Sequence, residues 1–337
     1  MQQRKLGQNG PEVGSLGLGC MGMSGMYGPS DRAASLATIH AAIDAGVTLL
    51  DTGDFYGMGH NELLIREALA GGRREQVLLS VKFGALRDPA QGWVGFDGRP
   101  AAVKNFLAYS LQRLGVDHID IYRPARLDPV VPIEETVGAI ADAVRSGWVR
   151  YIGLSEVGPA TLRRAQAVHP ITDLQIEYSL MSRGIEREIL PTCRELKIGI
   201  TAYGVLSRGL MSGSWSAGRA SQGDFRARAP RFQGENLERN LALVEKLREA
   251  AGRIGGSVAE VAIAWVAAQG EDIVPVVGAR RPDQLKEALA AMELRLAPQE
   301  LDALTQAVPA DAVVGGRYPE AQLQHMDSEK DAGHTLK

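Results

Sequence analysis

The chain predicts an α/β fold, a closed (β/α)8 TIM barrel, and three observations carry that expectation. Eight short runs rich in Val, Ile and Leu punctuate the 337 residues, amphipathic stretches of helical length separate them, and the alternation runs on unbroken. Near-continuous apolar runs suit parallel strands covered on both faces. A steady β-then-α rhythm closes into one barrel rather than dividing into two domains.

Taken in order, the strands are expected at 15–20, 47–51, 77–83, 119–125, 149–155, 173–178, 198–203 and 273–278. The first helix, 33–45, places Leu36, Ile39, His40 and Ile43 at helical spacing, with Gly46 as its cap. Residues 61–70 run into Gly71-Gly72, and 101–114 into Gly115. Residues 133–146 open after Pro132 and stop at Gly147, the Pro-in, Gly-out asymmetry of helix ends. Further helices fall near 159–168, 186–196, 238–252, 257–269 and 283–291. The first ten or so residues are expected to form a short N-terminal hairpin closing the barrel's bottom. Two long connections, 84–99 and 204–236, follow strands and so belong on the C-terminal face, where barrel active sites lie. The expected organisation is one barrel over 1–310 and a polar tail over 311–337, read as an arm or a frayed end.

Composition narrows the function classes. Hydrophobic residues make up 45% and charged residues 23%, the mix of a soluble protein with a large core. A formal charge of −3 gives no basic excess, so nucleic acid and membrane surfaces are not expected partners. Two cysteines, Cys20 and Cys193, are too few for a disulfide framework and fit a reducing, cytoplasmic setting. The opening MQQRKLGQNGPEVG lacks the apolar stretch of a secretory signal, and no run approaches the roughly 18 apolar residues of a membrane helix. Oligomeric state is left open.

Residues 17–22 read GLGCMG, a literal G-x-G-x-x-G that invites a doubly wound dinucleotide-binding sheet instead. That fingerprint needs a helix to open directly after it. The continuation MSGMYGPSD is a loop through which no helix could run, so the barrel is preferred.

Chemistry gathers at the ends of strands two and three. Strand two ends in Asp51, followed by TGDFYG, and strand three reaches Lys82. Residues at the C-terminal ends of neighbouring barrel strands point into one site, so Asp51, Tyr56 and Lys82 should converge. A phenol, with a pKa near 10, is a poor proton donor at neutral pH. A nearby ammonium would favour phenolate and bring the pKa down, while a carboxylate partnered to the lysine holds that charge in place. Such a phenol could protonate a carbonyl oxygen as hydride reaches its carbon. Each residue alone could serve as a cap or a structural ion pair; the joint placement is the specific signal.

Several phrases in register, among them LGLGCMGMS, DAGVTLLDTGDFYG, GHNELLIREAL, SVKFG, LGVDHIDIY, VRYIGLSE, LQIEYSLMSR and IAWVAAQGEDIVPVVGARRPDQLKEAL, make the chain resemble the aldo-keto reductases over about residues 3–308. The likeness is to a longer-chain bacterial and plant branch. It implies NADPH bound in an extended pose, a small-molecule carbonyl substrate and three matching catalytic positions: Tyr56 as proton donor, Lys82 beside it and Asp51 as the partner of Lys82. The fourth departs from the pattern. Where the family has a His closing strand four, DIYRPARLD places Ala125, and His118 lies seven residues earlier, at the strand's start.

For the cofactor, the resemblance implies Gly19, Met21 and Asp51 near the nicotinamide, Ser155 and Gln175 on its carboxamide, and Tyr203 stacked on its ring. Glu156 takes a position where the family commonly has Asn. Leu206 and Arg208 in GVLSRGLMSG would follow the pyrophosphate. Past Gly278, Arg280 and Gln284 would hold the 2′-phosphate at a helix N-terminus, with Arg281 a weaker candidate, and Glu287 would lie near the adenine. The arginines favour NADP over NAD.

Other residues carry weaker signals. His60 reads as a substrate contact or a cap, RARAPR (226–231) as a lid or a solvated loop, and Met23, Tyr27, Trp93 and Phe96 as substrate wall or packing. No metal motif appears, and hydride transfer from a nicotinamide calls for none. The rival to an active reductase is an NADPH-binding redox sensor that turns over slowly because Ala125 stands in the His position. An unrelated phosphate-binding barrel is the remoter alternative.

Overall fold

Gln3–Lys5 (β1) and Glu12–Gly14 (β2) pair antiparallel, and the hairpin turns Leu6 and Val13 inward. These two side chains join Leu49, Ile121, Val274 and Val276 in a small buried cluster of their own. The hairpin therefore plugs one end of the barrel with hydrocarbon. The computed structural model describes residues 1–90, 92–213, 215, 224–323 and 326–330, so parts of the 204–236 connection and of the tail lie outside the described residues.

The barrel strands are Gly17–Gly19 (β3), Leu49–Gly53 (β4), Leu78–Phe83 (β5), Ile119–Pro124 (β8), Val149–Ser155 (β9), Ile171–Glu177 (β10), Gly199–Tyr203 (β11) and Ile273–Gly278 (β12). They are parallel and closed, with β12 hydrogen-bonded back to β3. The helices between them are Arg32–Asp44 (α1), His60–Ala68 (α2), Pro100–Leu114 (α3), Ile133–Arg145 (α4), Pro159–Val168 (α5), Ile189–Glu195 (α6), Gly234–Ile254 (α7), Val258–Ala267 (α8) and Pro282–Ala291 (α9). Pro298–Ala307 (α10) follows, a helix that the reading of the sequence did not anticipate.

The 84–99 connection holds a second hairpin, Ala85–Arg87 (β6) with Trp93–Phe96 (β7). After Gly19 the chain makes only a single 3-10 turn at Met21–Ser24, and Gly25 follows at φ 83°, so the GLGCMG phrase opens no helix. Short pieces Glu320–Leu323 (α11) and Asp327–Lys330 (α12) end the described chain.

Strand periodicity decides what faces the barrel's interior. Alternate residues share a face, which sets Leu49 with Asp51 and Ile121 with Arg123. In register, Asp51 lies opposite Ser80, and Lys82 opposite Arg123. The lower interior is thus apolar and the upper interior polar. Arg123 is fully buried and pairs with Asp173 at 2.8 Å, and it also donates to Thr201 and Ser80. A Cβ at Gly153 would come within 2.6 Å of Asp173 Oδ1 and 3.0 Å of Arg123 Cζ, so only glycine leaves room for that pair. No helix among the described residues is long and apolar enough to cross a membrane.

Candidate active site

Asp51, Tyr56 and Lys82 meet at the C-terminal end of the barrel. Lys82 Nζ lies 2.5 Å from Asp51 Oδ1, and both side chains are almost wholly buried. The second Asp51 oxygen accepts from Ser80 Oγ at 2.9 Å and from Gln175 Nε2 at 2.7 Å. Arg123 reaches the same carboxylate through Ser80, its Nη2 donating to Ser80 Oγ at 3.0 Å. Tyr56 stands on a short turn after β4 whose Gly57 and Met58 adopt φ of 56° and 52°, a sharp reversal that drops the phenol back over the barrel. Phe55 packs edge-on at 4.8 Å between ring centroids, and Lys82 Nζ is 5.1 Å from the Tyr56 ring centroid.

The electrostatics differ from the expectation of a phenol made acidic by its lysine. Burial pushes the Tyr56 hydroxyl well above its ordinary value and the Asp51 carboxylate adds to the rise, with Arg126 pulling the other way. Burial also lowers the Lys82 pKa, against the opposing pull of Asp51. The physical reason is plain: the ammonium spends its field on a carboxylate 2.5 Å away. Tyr56 is therefore a neutral, protonated phenol.

The other expected positions separate into three groups. Ser155 ends β9, and its buried Oγ has no hydrogen-bond partner among the described residues. A buried hydroxyl so placed suits a polar ligand such as a carboxamide. Gln175 gives its amide to Asp51, as above. Gly19 and Gly278 are paired across the closure of the barrel, and Met21 begins the turn beyond them.

At the rim, Arg280 donates to the carbonyls of Tyr27 and Pro29, each at 3.1 Å, and its backbone N–H donates to Gln284 Oε1 at 2.9 Å. Arg281 pairs with Asp283 in the open, and Glu287 accepts from Ser257 at 2.7 Å. Leu206 and Arg208 lie in a turn after β11. Arg208 does not extend into an open groove: it donates to Glu177 at 3.1 Å and to the Arg317 carbonyl, and its guanidinium lies 4.2 Å from the Tyr318 ring centroid.

The third group is the surprise, because Arg317, Tyr318 and Ser328, from beyond the barrel, reach into the mouth. Glu156, at φ 54° and fully buried, accepts from Arg317 Nη1 at 2.8 Å, Tyr203 Oη at 2.6 Å, Ser328 Oγ at 2.7 Å and the Glu177 backbone N–H at 3.1 Å. Burial would raise that carboxyl, but the Arg317 charge and hydrogen bonds, helped by Arg126 and Ser328, hold it well below the usual range. Tyr318 Oη lies 3.0 Å from Tyr203 Oη and accepts from Arg126 Nη2 at 3.1 Å. Sequence reading missed Arg126, Arg317 and Tyr318; the available signals were the place of Arg126 directly after Ala125 and the Arg-Tyr pair in the phrase GGRYPE.

Of the weaker candidates, His60 Nδ1 bonds Ser24 Oγ at 2.9 Å, which ties the start of α2 to the turn after β3. Trp93 lies over Arg87 and against Phe55. In the RARAPR stretch Arg226 and Arg231 are buried and Arg228 is exposed. Arg226 binds Asp224 and lies over Tyr27 and Trp215, and Arg231 bonds Ser182. That stretch is packed, not solvated. His118 bonds Asp117 and Arg74 at the start of its strand, away from the mouth.

Comparison with known proteins agrees with this fold. The profile of the Aldo/keto reductase family matches residues 15–309. A probable aldo-keto reductase 1 from Glycine max is 41% identical over 321 residues, 94% of this chain and 92% of that protein. Among solved structures, a glycerol dehydrogenase from Gluconobacter oxydans superposes with a TM-score of 0.82 at 28% identity, covering 90% of this chain and 94% of that one. An aldo-keto reductase from Bacillus halodurans, in its holo form, gives 0.77 at 26% identity over 92% and 97%. A closed eight-stranded barrel, polar at one end, and a family match that runs along nearly all of it lead to one conclusion: the chain is a member of the aldo/keto reductase family, an oxidoreductase.

Proposed function

We propose that the protein reduces an aldehyde or ketone with NADPH, Tyr56 delivering the proton to the carbonyl oxygen. The observation that carries the reading is the cluster of Tyr56 with the Asp51–Lys82 ion pair, beside a buried and unpartnered Ser155 hydroxyl. When bound, the nicotinamide supplies the hydride. Ser155 would hold its carboxamide, Tyr203 would flank its ring, and Gly19, Met21, Asp51 and Gln175 would line that end of the site. Leu206, Arg208 and Gly278 would border the diphosphate. Arg280 and Gln284 would take the 2′-phosphate at the start of α9, with Glu287 toward the adenine. The barrel, 1–310, would carry all of these contacts, in a cytoplasm that keeps both cysteines reduced.

A raised phenol suits this role. It keeps its proton at every ordinary pH and releases it only to a stronger base, which an oxygen turning into an alkoxide becomes. The Asp51–Lys82 pair lies against the phenol ring, with Lys82 Nζ 5.1 Å from its centroid.

The test is stopped-flow oxidation of NADPH against a panel of aldehydes and ketones. Tyr56→Phe should lose carbonyl reduction by at least about 10²-fold while still binding NADPH. A variant as active as the wild type removes Tyr56 from the role. A wild type that binds NADPH yet shows no burst with any carbonyl would favour the redox-sensor reading.

A further inference from the structure

Ala125 leaves the active site without the side chain that the family commonly places there, and the next residue shows what stands nearby. Arg126 donates from Nη1 to the Ala125 carbonyl at 2.6 Å and from Nη2 to Tyr318 Oη at 3.1 Å. Neither acceptor is a carboxylate. Every other guanidinium around Glu156 and Glu177 contacts a carboxylate: Arg208 and Arg231 contact Glu177, and Arg317 contacts Glu156, Glu177 and Glu329. Arg126 makes no ion pair among the described residues, and its charge is felt at both the Tyr56 phenol and the Lys82 ammonium. Glu156 favours its charge from a distance, but no carboxylate touches it. Ala125, whose carbonyl it grips, donates its own N–H to the carbonyl of Phe83, the residue after Lys82, so this half-buried guanidinium stands at the strand ends that carry the catalytic candidates. A donor there suits negative charge growing on a carbonyl oxygen.

Tyr318 fixes that guanidinium. Its ring lies under Arg208 at 4.2 Å and its hydroxyl bridges Tyr203 and Arg126. The arm that carries it is pinned one residue earlier, where Arg317, nine-tenths buried, grips Glu156. Tyr203 and Glu156 also belong to the mouth, so the arm and the barrel share one hydrogen-bonded unit.

We propose that Arg126 is the donor that receives the substrate carbonyl oxygen in place of the side chain absent at Ala125, and that Tyr318 of the C-terminal arm is its positioning residue. The inference rests on the reading of the protein as a carbonyl reductase. As the C=O carbon gains hydride and its oxygen takes the Tyr56 proton, the transient charge on that oxygen is shared with the Arg126 N–H groups, which neither gain nor lose a proton. Tyr318 touches no reactant and acts by holding the guanidinium's angle.

Four proteins test this: wild type, Arg126→Met, Arg126→Lys and Tyr318→Phe. For each, kcat and KM are measured with a neutral aldehyde and with a carboxylate-bearing aldehyde, and NADPH Kd is measured by fluorescence titration. Benzoate, a stable mimic of a charged oxygen, is titrated calorimetrically into the NADP+-loaded protein. Arg126→Met should lower kcat for both aldehydes on the order of 10²-fold. It should also weaken benzoate binding roughly tenfold and leave NADPH Kd within about twofold. Arg126→Lys should recover part of the kcat loss, and Tyr318→Phe, which keeps the ring, should lower kcat roughly tenfold.

If Arg126→Met raises KM for the carboxylate-bearing aldehyde alone, the residue reads a substrate anion and the proposal is overturned. Unchanged kcat and benzoate affinity in a wild type that turns over sink this inference and leave the reductase reading intact. A wild type inactive toward every carbonyl sinks both.

Discussion

At Glu156 a left-handed backbone and a buried carboxylate coincide. A φ of 54° costs a residue with a Cβ about 1–2 kcal/mol, which the surrounding bonds must offset. The Glu156 side chain is 0% exposed and its partner Arg317 10% exposed, so removing the partner leaves a charge with little water to return to. Arg317→Met should therefore cost about 3–5 kcal/mol in urea denaturation. Adding Glu156→Asn should recover most of it, since Asn tolerates this conformation and carries no charge. No recovery would mean that the arm docks by packing alone.

Because the Glu156 pKa is depressed in the folded chain, its contribution is present above the ordinary carboxylate value of 4.5 and fades on acidification. Asp54 runs in the opposite sense. Burial, reinforced by Glu62, pushes its carboxyl from 3.8 up to about 8. Between those values the folded chain holds a proton that the unfolded chain has released, so stability falls as pH rises across the window. Asp54→Asn should flatten that decline in thermal midpoint between about pH 5 and pH 8; an unchanged slope would place the titration elsewhere.

Among the elements, α9 and the loop before it carry the expected cofactor preference. Arg280 both faces the helix N-terminus and braces the loop after β3 through the Tyr27 and Pro29 carbonyls. If it also meets a 2′-phosphate, Arg280→Ala should raise KM for NADPH roughly tenfold and leave NADH nearly unchanged. Equal losses with both would point to the bracing alone.

The elements were legible to very different degrees. Barrel strands and the helices α1 to α5 announce themselves because apolar runs and Gly or Pro ends are local signals, and Asp51, Tyr56 and Lys82 follow from strand ends. The β6–β7 hairpin was not legible, since Trp93 and Phe96 read equally well as loop aromatics. The docked arm was less so. Arg317 finds Glu156 across 161 positions of chain, and no periodicity or cap in a polar tail encodes a partner that distant. Nor could residue types reveal that Asp51 claims both the Lys82 ammonium and the Gln175 amide.

For the whole molecule, the two thiols report on global opening. Cys20 and Cys193 are both free and buried, at 0% exposure, and burial raises the pKa of each. A thiol reagent should label neither in the native protein and both in guanidinium, with a rate that follows the unfolding equilibrium. Rapid labelling of one alone would reveal a local opening that stops short of global unfolding.

The narrow clearance at Gly153 has a bearing on the entire barrel. Arg123 has no spare room there, and through Ser80 its position is handed on to Asp51 and then to Lys82. A bump deep in the wall would travel along that relay and tilt the ammonium from below. The alignment of the reactive end is thus inherited from a spot no reactant visits, and drift at such hidden positions could retune the enzyme while its visible lining stayed the same.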